Sequence, residues 1–122
     1  MKTLKIGIMP KEQYQKRVLQ IASGKYKPKT GEPKIWFSSM KSMAEVLSDN
    51  NIQLLQLIAT QQPESIKELA EISGRKPGNL SRTLHTMERF GIVDLKQVPG
   101  NKQIKPVVKA TRFSIQTIAL VR

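Results

Sequence analysis

Between Gly74 and Gly91 the chain reads RKPGNLSRTLHTMERF, and its polar residues are of the kinds that hydrogen-bond to nucleic acid. An Asn amide pairs bidentately with adenine and an Arg guanidinium with guanine, each worth about 1–3 kcal/mol of discrimination. Asn79 and Arg82 are therefore the first candidates for base contacts, and Thr86 offers a methyl group to a thymine. Arg75, Lys76 and Arg89 in the same stretch, with Lys102 further on, are cations of the type that holds phosphate. Gly78 lets a phosphate approach the backbone closely. His85 is the single histidine. No carboxylate or thiol constellation accompanies it, so it reads as a surface or contact residue rather than a metal ligand or a general base. P-loop, HExxH and GxSxG patterns are absent, and the lack of cysteine excludes thiolate metal sites and disulfides. The chain is expected to be no enzyme and to need neither cofactor nor metal.

These side chains need a helix to present them. Leu80, Leu84 and Met87 fall at i, i+4 and i+7, which predicts a helix from about Pro77 to Phe90 with that apolar side turned inward. Gly78, Arg82, His85 and Arg89 then lie opposite, flanked by Asn79 and Thr86. Upstream, SIKE is a capping-box pattern in which Ser65 and Glu68 each satisfy a free backbone N–H. It opens a helix whose buried side is Ile66, Leu69, Ala70 and Ile72, and which Gly74 ends. Downstream, Gly91 stops the second helix. IVDLKQV reads as a strand, PGNK as a turn, QIKPVVK as a returning strand broken by Pro106, and RFSIQTIALV as a third strand.

The first half carries a different set of signals. Leu4, Ile6 and Ile8 alternate as in a strand, and Pro10 can open a helix at its first turn. Tyr14, Val18 and Ile21 follow at helical spacing, with Gly24 as a stop. KYKPKTGEPK is a linker or exposed basic arm. IWF then anchors that arm onto the next unit, Trp36 serving as a packing residue. Met40, Met43 and Leu47 mark a short helix, with the two methionines read as core, and Ile52 to Ala59 mark the next. The fold class is thus mainly α with a small β wing: a winged helix-turn-helix domain over residues 38–122, with a strand-helix-linker extension over residues 1–37.

The net charge of +12 is unevenly spread. Residues 1–34 hold nine basic and two acidic residues, residues 35–74 two and five, and residues 75–122 ten and two. Positive charge resumes at Arg75, where the polar helix is about to begin, as for a surface facing phosphate. A merely solubilising basic surface is the plain alternative. No run approaches the roughly 20 apolar residues of a membrane span. MKTLKIGIMPKEQ lacks both the apolar core and the cleavage site of a signal peptide, so a cytoplasmic protein is expected.

SIKELAEISG followed by NLSRTLHTMERFGIV resembles the core of MarR-like winged helix-turn-helix transcriptional regulators, over roughly residues 38–110. The resemblance implies that the LSRTL stretch is the recognition helix and that ERFGIV leads into the wing. The chain departs from that pattern after the turn glycine, where Arg75, Lys76 and PG replace an apolar residue and a Ser or Thr cap. That change either distorts the start of the helix or opens it to backbone phosphate through Gly78. The longer stretch from EPKIWFSSMKSMAEVLSDNN onward resembles small prokaryotic DNA-binding proteins that include TumA-type antitoxins. By that resemblance the chain represses its own operon and binds a small toxin. The leading expectation is a homodimeric repressor that binds double-stranded DNA, with residues 1–37 and 112–122 free for dimerisation. The alternative is an antitoxin that neutralises a cognate toxin while also binding operator DNA. A third reading, a non-specific nucleoid or RNA-binding protein, would bind any duplex with nearly the same affinity.

Overall fold

The computed structural model describes residues 2–117 of the 122. Among them are five helices and five strands, in the order β1 (Thr3–Ile8), α1 (Lys11–Ala22), β2 (Ile35–Phe37), α2 (Met40–Val46), α3 (Asp49–Gln61), α4 (Ile66–Ser73), α5 (Pro77–Arg89), β3 (Val93–Gln97), β4 (Ile104–Val108) and β5 (Arg112–Thr117). The part of the last expected strand beyond Thr117 lies outside the described residues.

The β content exceeds a small wing. Strands β2, β1 and β5 form a parallel sheet in that order, with Ile6 opposite both Ile35 and Ile115. The two ends of the chain therefore pair with each other. Period-two alternation turns Ile6, Ile35 and Phe37 to one side, where they are buried in the same core cluster as Leu54, Leu55 and Ile58 of α3 and Leu80, Leu84 and Met87 of α5. Phe37 stacks on Phe90 just past α5, with ring centroids 4.3 Å apart. Trp36, on the other side of β2, lies across Gly7, where a Cβ would sit 2.2 Å from the indole. That close approach needs a glycine.

Arg17 of α1 packs against the same indole, 5.1 Å from its centroid, and against Tyr26 at 5.2 Å. It also pairs with Glu32 at 3.0 Å. Glu32 accepts further bonds from the Tyr26 hydroxyl and the Lys29 backbone N–H. This cluster folds the basic arm back onto α1. The Tyr26 hydroxyl, the Lys29 N–H and Arg17 together hold the Glu32 carboxyl at about 2, below its usual 4.5. A depressed carboxylate stabilises the fold above its unfolded value and loses that contribution as pH falls. The arm is expected to loosen as pH drops from about 4.5 toward about 2, read as a change in Trp36 fluorescence. In Glu32→Gln the loosened signal should be present already at neutral pH. An acid transition unchanged by that substitution would refute the assignment.

Three expectations need correction. Pro106 does not break its strand: β4 runs through it, opposite Leu95. A two-stranded ribbon leaves β4 an outer edge where a missing N–H costs nothing. Met40 is 51% exposed while Met43 is buried, because Met40 is the first residue of α2 and sits at its open end. Ile72 is 41% exposed rather than part of the buried side of α4, which is only eight residues long and covers the core with Leu69 and Ala70. Helix α1 does open at Pro10, which is its N-cap.

Candidate nucleic-acid interface

The site is built on α4, the turn after it, and α5. Ser65 caps α4, its hydroxyl accepting from the Glu68 N–H at 3.0 Å. The reciprocal half of the expected capping box is shifted by one residue: the Glu68 carboxylate accepts from the N–H of Glu64, not of Ser65. The complete box is at α2, between Ser39 and Ser42. Gly74 takes φ +73° and ends α4. This is the left-handed conformation that glycine adopts without penalty, and it turns the chain toward α5.

Arg75 is committed to this turn. Its guanidinium donates to the Asn51 side chain at 3.0 Å and to the Asn50 carbonyl at 2.8 Å. Asn51 in turn donates to the Val46 carbonyl. The turn is thereby tied to the start of α3, a link with no local sequence signal because its partners are 24 and 25 residues apart.

Helix α5 begins undistorted at Pro77, with Lys76 as N-cap and no side-chain cap. Pro77 has no N–H to satisfy, and the Leu80 N–H bonds the Lys76 carbonyl. The amides of Gly78 and Asn79 are left at the positive end of the helix dipole. A Cβ on Gly78 would meet nothing within 4 Å. Leu80, Leu84 and Met87 are fully buried, as their spacing predicts. Lys76, Gly78, Asn79, Arg82, His85 and Arg89 are exposed, and Thr86 is half-buried.

Among the described residues, the side chains of Lys76, Asn79, Arg82 and Lys102 have no hydrogen-bond or ion-pair partner. Thr86 instead donates to the Arg82 carbonyl and accepts from Arg89, in a groove of about 250 Å³ between α2 and α5 that Arg82 and Glu45 also line. His85 Nδ1 lies 2.7 Å from the Ser81 carbonyl. A carbonyl only accepts, so Nδ1 carries the proton and a neutral ring keeps an acceptor lone pair on Nε2. Sequence reasoning missed this contact, although the i, i+4 spacing of Ser81 and His85 signals it.

Strands β3 and β4 form an antiparallel hairpin after α5. Gly91, at φ +79°, makes the exit: its N–H bonds the Glu88 carbonyl, and the Ile92 N–H reaches back to Met87. Lys102 lies at the hairpin tip and Lys96 on β3, both exposed. Lys105 pairs with Glu64 at 3.4 Å and Lys109 with Asp94 at 3.7 Å. Among the described residues, no group of His, Asp and Glu is placed to hold a metal ion, and no helix is long and apolar enough to cross a membrane.

Gly78 offers a test that separates folding from binding. Alanine fits its open helical site, so Gly78→Ala is expected to leave stability unchanged or to raise it by up to about 1 kcal/mol, with the thermal midpoint unchanged or slightly higher. If a phosphate approaches the backbone here, the same methyl group weakens duplex binding. A thermal melt and a duplex titration on one variant decide it, and unchanged affinity removes Gly78 from the interface.

No curated protein matches the chain. Among solved structures, a crystal structure of a predicted DNA-binding transcriptional regulator from E. coli is similar at 18% identity and a TM-score of 0.48, with 82% of this chain and 84% of that chain covered. The HVO_A0114 family model matches residues 46–115. That span takes in α3, α4, α5, the β3–β4 hairpin and most of β5, more than half of the chain, and the protein belongs to the HVO_A0114 family.

Proposed function

We propose that the chain is a sequence-specific, double-stranded-DNA-binding transcriptional regulator of winged helix-turn-helix type, acting in the cytoplasm as a repressor of its own operon. The observation that carries this reading is the outer side of α5: Asn79 and Arg82 stand exposed with no internal partner, on a helix held from behind by three fully buried apolar residues. In this reading α5 enters the major groove, with Asn79, Arg82 and Thr86 at base edges. Lys76, Gly78 and Arg89 meet phosphate beside it, and Lys102 meets it from the hairpin tip. Arg75 adds to the phosphate contacts only with the N–H groups that its bonds to Asn50 and Asn51 leave over.

One recognition helix covers too few base pairs for useful specificity, so the regulator is a homodimer on an inverted repeat. Selection from a randomised duplex library should enrich a two-fold symmetric site. No enrichment, with equal affinity for all duplexes, would overturn the sequence-specific reading and favour a non-specific nucleoid protein. The resemblance to TumA-type antitoxins adds a second reading, in which the chain also neutralises a small toxin. The observation in its favour is the uncovered apolar side of α1, a surface of the kind that takes a protein partner.

A further inference from the structure

Strand β5 lies at the rim of the parallel sheet, with β1 as its neighbour on one side and no strand on the other among the described residues. Two hydrogen bonds fix where its backbone groups point. The Met9 N–H bonds the Phe37 carbonyl, and the Lys2 carbonyl accepts from the Thr111 N–H. Odd residues of β1 therefore direct their amide groups to β2, and even residues direct theirs to β5. In a parallel ladder each such residue bonds the two residues that flank its partner. Ile6 is opposite Ile115, so Ser114 and Gln116 face β1. The N–H and C=O groups of Phe113, Ile115 and Thr117 then point outward, and no hydrogen bond reaches them among the described residues.

An open edge is a template for another strand unless it is blunted. The other described edges are blunted. Strand β2 is three residues long and follows Pro33 and Lys34, and the hairpin carries Asp94 and Lys96 on β3 and Lys105 and Pro106 on β4. Residues 113–117 of β5, FSIQT, hold neither charge nor proline, and their register with β1 runs without a bulge. The apolar side of the sheet also continues to this edge. Ile115 shares the side of buried Ile6 yet is 46% exposed, and Phe113 lines an open groove of about 300 Å³ with Leu55 and Ala59 of α3.

We infer that β5 pairs antiparallel with β5 of a second copy, about a two-fold axis through Ile115, so that the two sheets join into one. The inference rests on the homodimer of the proposed function and names its interface. Backbone, side chains and charge all favour a second copy as the occupant. A two-fold axis makes the edge its own complement: Ile115 faces Ile115, and Phe113 and Thr117 face each other twice. These three opposed pairs exchange about six backbone hydrogen bonds. The two Ile115 side chains cover each other on the core side, and Ser114 meets Gln116 on the other side. Each copy carries a net charge of +12, yet the two meet through a neutral stretch, so the pairing sets no like charges against each other.

Sedimentation without DNA should show a dimer. Ile115→Lys and Ile115→Glu each set like charges opposite one another at the axis, and each should weaken self-association by about tenfold or more, with unchanged far-UV circular dichroism. Mixed in equal amounts the two variants should associate again, because opposite charges then meet, and a folding defect would show no such rescue. The chain has no cysteine, so each introduced one is unique. Residues 114 and 116 of opposed strands come to about 4.5 Å between Cα atoms, within reach of a disulfide. Ser114→Cys copies mixed with Gln116→Cys copies should therefore give a mixed disulfide dimer under mild oxidation, and Ser114→Cys alone should give none. A wild type that is monomeric, its edge left for a strand of another protein, overturns the inference. So does a dimer insensitive to both charge substitutions, a mixture no stronger than either variant alone, or a crosslink in Ser114→Cys alone. Library selection tests DNA reading separately. A two-fold symmetric site bound by a dimer insensitive to the Ile115 substitutions would sink this interface and leave the DNA-binding function standing.

Discussion

Arg82→Ala is expected to lower affinity for the selected site by about 5- to 150-fold per half-site while leaving affinity for random duplex almost unchanged. The first number is the roughly 1–3 kcal/mol that a bidentate arginine–guanine pair contributes to discrimination. The second follows because random DNA is held through phosphate, which carries no sequence information. Arg82 is exposed and has no internal ion pair or side-chain hydrogen bond among the described residues, so its removal leaves the fold intact. Lys102→Ala is the matched control, because a lysine at the hairpin tip touches phosphate if it touches DNA at all. It should weaken both duplexes alike and flatten the salt dependence by about 0.9 per lost contact. In a dimer the free-energy cost and the change in salt slope both double, so the fold-change in affinity is squared. Titrations of the two variants on selected and scrambled duplexes over a range of salt decide it. Equal weakening by Arg82→Ala on both duplexes removes α5 as the specific reader.

The parts of this protein that were legible in the sequence are those whose signals are local. Leu80, Leu84 and Met87 repeat within three turns, Gly74 and Gly91 bracket α5, and Ser65 announces α4, so the helix pair and the hairpin could be placed from residues alone. The parallel sheet could not. β2 is three residues long, too short to show alternation. Its pairing with β1, and that of β5 with β1, joins segments about 30 and 110 residues apart. The departure at Arg75–Gly78 left two outcomes open, and the geometry removes one of them, the distorted helix start. Arg75 turned inward to Asn50 and Asn51, so the helix starts cleanly at Pro77 with its first free amide on Gly78. Which of the outward residues touch bases is a property of the complex, and neither the spacing nor the free protein contains it.

The same long-range packing sets the second large effect. Phe37→Ala is expected to cost about 3–5 kcal/mol of stability, as for other aromatic-to-alanine changes in a core. Phe37 is 2% exposed and stacks on Phe90 at the exit of α5, so its loss opens a cavity between the sheet and α5. Against the roughly 5–15 kcal/mol that holds a domain of this size, this is a large fraction. The urea midpoint should fall with little change in slope. The single tryptophan distinguishes two ways this can happen. Trp36 reports on the β2–β1–β5 sheet, whereas far-UV circular dichroism reports mainly on the helices. Ile6, Ile35 and Phe37 share one core cluster with Leu80, Leu84 and Met87. Both probes should therefore move together, in the wild type and in the variant. If the tryptophan transition comes at lower urea than the helical one, residues 1–37 and 38–122 unfold as separate units. Phe37 is then a contact between them rather than part of a common core.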